Sequence, residues 1–280
     1  MPRNRPFAQV DVFSDEPLRG NPVAVVLDRE GLSADEMLRF TEWTNLSEAT
    51  FVGPPTRPDA DYSVRIFCPG RELPFAGHPT LGTCHAWLAA GGVPKDAHVV
   101  QECGAGLVPV RIGPAGLLSF AAPPLLRTGP LDDTDVDRVA RALRIDRSAI
   151  VDHAWCDNGP TWMGVLLATA QDVLDLEPDS GLLDGMDIGV VGPHPDGSAI
   201  AFELRAFFPG VAGLTEDPVT GSLNAAVAQW LIGSGRAPDS YQAAQGTALD
   251  RAGRITVERD GDTIWVGGRC WTVVDGAVDL

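Results

Sequence analysis

The chain has 280 residues, 44% of them hydrophobic, enough for one large or two medium domains with a substantial core. Against 21 Lys and Arg stand 38 Asp and Glu, a formal net charge of −17; such a surface repels phosphate backbones and anionic lipid, so neither nucleic acid nor membrane is expected as a partner. No apolar run reaches the ~18 residues of a spanning helix, the N-terminus MPRNRPFAQVDVF has no apolar signal core, and the five cysteines (Cys68, Cys84, Cys103, Cys156, Cys270) form no CxxC, which points to a reducing, cytoplasmic setting without disulfides or zinc knuckles.

In chain order, β-branched and aromatic content predicts strands over 7–13 and 22–27. Ser33 with Glu36 forms a capping box that opens a helix through Trp43. A strand over 62–67 runs into RIFCPG (65–70), a loop RELPFAG (71–77) and a helix HPTLGTCHAWLAA (78–90) ended by Gly91 and Gly92. AAPPLLRTGP (121–130) reads as an interdomain connection, after which Asp132 or Asp133 caps a helix to about Leu143. RAFFPG (205–210), a loop VAGLTEDPVTG (211–221) and a helix SLNAAVAQWLI (222–232) ended by Gly233 and Gly235 follow, with a last strand signal over 263–266.

Two Arg-x-Phe-x-Pro-Gly strings, each followed by a loop, a Gly-to-helix junction and glycine terminators, make an internal duplication. VQECGAGLVPVRI (100–112) and QAAQGTALDRAGRI (242–255) extend it with imperfect spacing. Both central helices are nearly without charge, so each is expected to be wrapped by its own sheet. A glycine before a buried helix leaves the first N–H groups without intrahelical partners, and with the helix dipole they suit an anion. Gly77-His78 and Gly221-Ser222 are the two junctions, and neither carries a nucleotide-binding motif. If the halves face one another, a carboxylate and an enolate-like charge are the anions such helix ends would stabilise.

The strings GNPVAVV from Gly20, NLSEATFV from Asn45, ELPFAGHPTLG from Glu72, EDPVTGS from Glu216 and WVGG from Trp265 occur in this order over nearly the whole chain. They resemble those of the PhzF-type phenazine biosynthesis protein family. The resemblance implies an α+β, diaminopimelate-epimerase-like fold of two pseudo-symmetric halves, each a β-barrel-like sheet around a central helix. The halves are expected at 1–120 (helix about 78–91) and 121–280 (helix about 221–234), the last strand free to cross back to the first. An active site in the cleft between halves, and a homodimer, are further implications.

Carried over by motif, Glu48 matches the family's acid/base, while His78, Asp217, Gly221 and Ser222 match its substrate positions. The expected catalytic residues are therefore Glu48, His78 and Asp217, and the substrate-binding ones Gly77, His78, Gly221 and Ser222, with no metal and no cofactor. The better-understood member isomerises trans-2,3-dihydro-3-hydroxyanthranilate. Related epimerases place a cysteine at each junction; here Ala76 and Asp217 or Pro218 stand there, so one base moving a proton replaces a two-thiol racemase.

Each residue also has a plainer reading. Glu48 by position alone is a surface carboxylate at a strand start; as a base it needs an apolar setting, which Phe51 and the nearby helix are placed to supply. His78 either meets substrate as a neutral imidazole, its charge disfavoured by the helix dipole, or caps its own helix. Asp217 binds a substrate ammonium, relays a proton or holds its Asp-Pro turn, and Ser222 offers its hydroxyl or caps. Cys103 reads as a buried structural thiol, His85 lacks an acidic partner for a metal site, and Asn158 and Trp162 read as turn and core residues, with lining of the cleft as the alternative. The expected activity is cofactor-independent isomerisation or epimerisation of a small carboxylate-bearing molecule. A silent binding protein, or a lyase or hydratase in the same cleft, is the alternative.

Overall fold

The computed structural model of the chain describes residues 3–183, 185–210 and 213–280. Its elements run β1 (Asn4–Val12), β2 (Asn21–Val26), α1 (Ala34–Thr44), β3 (Ala49–Gly53), β4 (Tyr62–Cys68), β5 (Arg71–Leu73), α2 (Gly77–Ala89), β6 (His98–Cys103), β7 (Gly106–Ile112) and β8 (Leu118–Ala121). After α3 (Asp133–Leu143) come β9 (Asp152–Asp157), β10 (Thr161–Leu166), α4 (Ala170–Leu174), β11 (Asp187–Pro193), β12 (Phe202–Gly210) and β13 (Gly213–Asp217). The chain closes with α5 (Gly221–Gly233), β14 (Ser240–Gln245), β15 (Gly253–Asp260), β16 (Thr263–Gly268) and β17 (Cys270–Asp279). Two compact units result: Met1–Ala121 with Gly267–Leu280, and Ala122–Val266.

The same ladder is built in each unit. In the first, β1 is antiparallel to β2, β2 parallel to β3, β3 antiparallel to β4, β4 parallel to β6, and β6 antiparallel to β7. In the second, β9, β10, β11, β12, β14 and β15 repeat that sequence of directions. Helices α1 and α4 occupy matching places after the second strand, and α2 and α5 after the fifth. The expected Pro- and Gly-rich loops are partly strand: β5 pairs back on β4 and β13 on β12, Gly70 taking φ +86 to allow the tight reversal. Positions 211 and 212 of the second loop lie outside the described residues.

The Arg-x-Phe strings are one device used twice. Arg205 Nε and Nη2 both donate to the Glu216 carboxylate at 2.8 Å, and the guanidinium lies 4.8 Å from the Phe207 ring. In the other unit Arg65 forks onto Glu72, with Nε to Oε1 at 2.7 Å, and lies 5.1 Å from the Phe67 ring. Each fork ties the fourth-strand position to its hairpin partner, just ahead of the central helix.

Both central helices are buried along most of their length, unlike α3, whose DTDVDRVARAL turns Val136, Val139, Ala140 and Leu143 inward and its charges outward. Close approach requires glycine: a Cβ at Gly82 of α2 would stand 2.3 Å from Val23 Cγ1, and one at Gly189 of β11 would stand 2.1 Å from Leu223 of α5. The helices end through left-handed Gly91 and Gly235. Gly233, expected among the terminators, is instead the last residue of α5, because Ser234 forms the C-cap.

Candidate active site

Helix α1 begins at the predicted capping box and stops at Asn45, whose left-handed backbone (φ 55, ψ 23) turns the chain within three residues to Glu48. The Glu48 carbonyl accepts from Ala24 N at 3.4 Å, fixing it beside β2 just before β3 starts. On the other side, Asp11 Oδ2 accepts from Arg19 N (3.0 Å) and Gly20 N (2.9 Å). A Cβ at Gly20 would fall 2.1 Å from the Val12 carbonyl oxygen, so only glycine lets the chain pass there into Asn21. These constraints bring Asn21, Ser47, Glu48 and His78 together, all within the first unit.

His78 Nε2 lies 3.3 Å from Glu48 Oε2, without hydrogen-bond alignment, and its Nδ1 lies 3.3 Å from Asn21 Nδ2. Ser47 Oγ donates to Asn21 Oδ1 at 3.4 Å. The imidazole side chain is 4% exposed and the Glu48 side chain 16%. Burial pushes the His78 pKa down to about 3, opposed in smaller part by its hydrogen bond to the Pro22 carbonyl. Near neutral pH the pair is thus a carboxyl group beside a neutral imidazole, not an ion pair. The predicted neutral ring is present, and its burial is a cause that the sequence did not show.

This burial has a sign that can be checked. An unfolded histidine takes up a proton near pH 6.5, whereas folded His78 resists it to about pH 3. Its contribution to stability is unchanged above pH 6.5 and falls as pH drops from 6.5 toward 3. The urea midpoint of the wild type is therefore expected to fall more between pH 7 and pH 5 than that of His78→Gln. Parallel losses in the two proteins would contradict the assignment.

His78 does not cap its helix: the N-cap of α2 is Ala76, and no side chain caps that end. The same holds for α5, whose N-cap is Thr220, so Ser222 is not the cap either. By contrast, Ser33, Asp132 and Thr169 side chains cap α1, α3 and α4. Among the α-helices of the described residues, the two central ones begin without a capping side chain, and Gly77 and Gly221 are their buried first residues. At each of these heads no side chain satisfies the first-turn N–H groups.

In the second unit a buried amide network shapes the α5 head. Gln245 Oε1 accepts from Thr220 N (3.0 Å) and Asn224 Nδ2 (2.9 Å), and its Nε2 donates to Thr220 Oγ1 (2.8 Å) and the Asp217 carbonyl (3.0 Å). Thr220 Oγ1 in turn donates to Asp217 Oδ2 at 2.7 Å. Asp217 thus takes part in holding its own turn. In the first unit Gln101, whose register on β4 matches that of Ala243 on β12, makes a similar tie to its helix, donating to Thr80 Oγ1 at 2.9 Å and accepting from Tyr62. Asn21, Ser47 and the two glutamines were not assigned roles from the sequence, although Asn21 lies in the quoted GNPVAVV string and the glutamines in VQECG and AAQG.

Of the remaining candidates, Cys103 ends β6 and is half-buried, less enclosed than expected, while burial raises its thiol pKa. His85 Nε2 lies 3.0 Å from Thr272 Oγ1. Phe51 belongs to the core packed under α1 with Phe40, Met37 and Phe67. Asn158 and Trp162 both bond to Ser222. No helix among the described residues is long and apolar enough to cross a membrane.

Two buried helices, each in its own repeat of one β-ladder, are the diaminopimelate-epimerase-like α+β architecture. The phenazine biosynthesis-like protein family model (PhzC-PhzF) matches residues 10–276. The chain is 38% identical to antisense-enhancing sequence 1 of Schizosaccharomyces pombe, covering 96% of this chain and 97% of the relative. It is 33% identical to the trans-2,3-dihydro-3-hydroxyanthranilate isomerase of Pseudomonas aeruginosa, covering 91% and 90%. A Bacillus anthracis protein of the PhzF family shares the fold at TM-score 0.82 and 22% identity, over 99% of each chain. The chain belongs to the phenazine biosynthesis-like family and is an isomerase.

Proposed function

We propose that this isomerase shifts a proton along a small carboxylate-bearing substrate, with Glu48 as the single acid/base. The observation that carries the reading is the Glu48–His78 contact of 3.3 Å at an uncapped helix head. Glu48 takes a proton from a carbon in conjugation with an electron-withdrawing group. The C–H electron pair enters the conjugated system, and the carboxyl group returns a proton at another carbon, so the product has the mass of the substrate. His78, neutral and held against Asn21, shares hydrogen bonding with the carboxyl group and the reacting substrate. Uncapped helix heads offer first-turn N–H groups to a carboxylate or to the charge that develops on deprotonation. Gly77, Gly221 and Ser222 belong to those heads, and Asp217 is assigned to a polar substituent of the substrate as well as to its turn. We assign no cofactor, and infer a homodimer, to be tested by sedimentation equilibrium.

The test is incubation in deuterated water with trans-2,3-dihydro-3-hydroxyanthranilate, the compound named for the Pseudomonas relative, and with a panel of small unsaturated carboxylates. Conversion to an isomer carrying deuterium at the newly protonated carbon is expected. A product lighter by water would convert the assignment to a lyase, and neither conversion nor label from any compound would overturn it.

A further inference from the structure

The β9–β10 hairpin places two side chains on Ser222, the second residue of α5. Trp162 Nε1 donates to Ser222 Oγ at 3.2 Å, and Asn158 Nδ2 donates to the Ser222 carbonyl at 2.9 Å. All three are enclosed, Ser222 at 7%, Asn158 at 8% and Trp162 at 4% exposure. A serine hydroxyl has one proton and two acceptor positions, whereas indole can only donate. With the indole proton on one lone pair, the hydroxyl's own proton turns elsewhere, and no group among the described residues accepts it. Asn158 Oδ1 is a second buried polar atom here without a partner in the chain. The Ser222 hydroxyl therefore keeps a proton to donate, beside the first-turn N–H groups of a helix that no side chain caps.

We propose that Trp162 is a positioning residue for substrate recognition: it fixes the Ser222 hydroxyl as a donor, so the head of α5 selects a carboxylate over a neutral amide of the same shape. This rests on the reading that Ser222 binds substrate. A carboxylate accepts from the hydroxyl and the N–H groups alike. A carboxamide must turn its NH2 toward at least one of them, which pairs donor with donor. Without the indole proton, the hydroxyl can rotate to accept, and the discrimination weakens.

Calorimetric titration with anthranilate and with anthranilamide tests this without turnover. The wild type is expected to bind anthranilate more tightly than the amide. Trp162→Phe, which keeps an aromatic ring and loses the N–H, is expected to bind anthranilate about tenfold more weakly and the amide unchanged, the scale of one hydrogen bond to a charged group. In a Ser222→Ala background the same change should add nothing. Equal loss for both ligands, no loss, an undiminished loss with Ser222→Ala, or a wild type without preference would each overturn the proposal. Should Trp162→Phe fail to fold, Ser222→Ala alone must weaken the preference; wild-type discrimination in that variant overturns the proposal equally. Binding with the expected Trp162 effect but no conversion of any carboxylate would overturn the isomerase assignment and leave this one standing. Conversion without a Trp162 effect would do the reverse.

Discussion

Glu48→Gln is expected to lower the isomerisation rate by about a hundred- to ten-thousandfold, the range that a positioned acid/base contributes, while the protein keeps its fold. Glutamine has the shape of glutamate, so the packing before β3 is retained. Near neutral pH no ion pair is lost, because buried His78 is uncharged. The amide cannot carry the migrating proton, so the fall should appear in kcat, with anthranilate affinity and urea midpoint near those of the wild type. His78→Gln keeps a neutral hydrogen-bonding group at the α2 head and should lose far less, about tenfold. Single-turnover kinetics with isotope incorporation would separate the two. A Glu48→Gln enzyme within threefold of the wild type would remove Glu48 from the role of base.

The second large effect concerns stability, and the duplication supplies its own control. Arg205→Met is expected to cost about 3–5 kcal/mol, as when one partner of a buried pair is removed. The Arg205 and Glu216 side chains are only 7% and 10% exposed. Besides Glu216, Arg205 Nη1 donates to the carbonyls of Val173 (3.2 Å), Leu174 (3.4 Å) and Leu176 (2.8 Å) at the end of α4. Methionine would strand the Glu216 charge and these carbonyls together. The equivalent Arg65→Met removes the same fork from Glu72, but those side chains are 32% and 42% exposed. Water replaces the lost partner there, so the cost should be about 0–1 kcal/mol. Adding Glu216→Leu to Arg205→Met should recover part of the loss by removing the stranded charge. Equal urea-denaturation losses for the two arginine variants would show that burial does not set the difference.

These residues mark which features were legible. The Ser33–Glu36 capping box and the Asp132 cap are read within four residues, as are the left-handed ends at Gly91 and Gly235, because helix-end hydrogen bonds are local. The uncharged central helices announced their burial by composition alone. The motif strings singled out Glu48, His78 and the α5 head. They did not show that Asn21 bonds to His78 or Trp162 to Ser222, partners 57 and 60 positions apart in the chain. No periodicity encodes such a contact, since strand register and loop closure create it.

What the sequence by itself determined was the repeated unit, the two helices with their junctions, the family and the acidic surface, all carried by local pattern or ordered motif. Tertiary structure alone decided that the last fourteen residues, Gly267–Leu280, join the first unit, where β17 pairs with β1. It also decided that one Arg-x-Phe fork is buried and its twin half-exposed, and that burial keeps His78 neutral. The physical reason is common to all three. Desolvation depends on everything that packs around a group, and that surrounding is assembled from segments far apart in the chain.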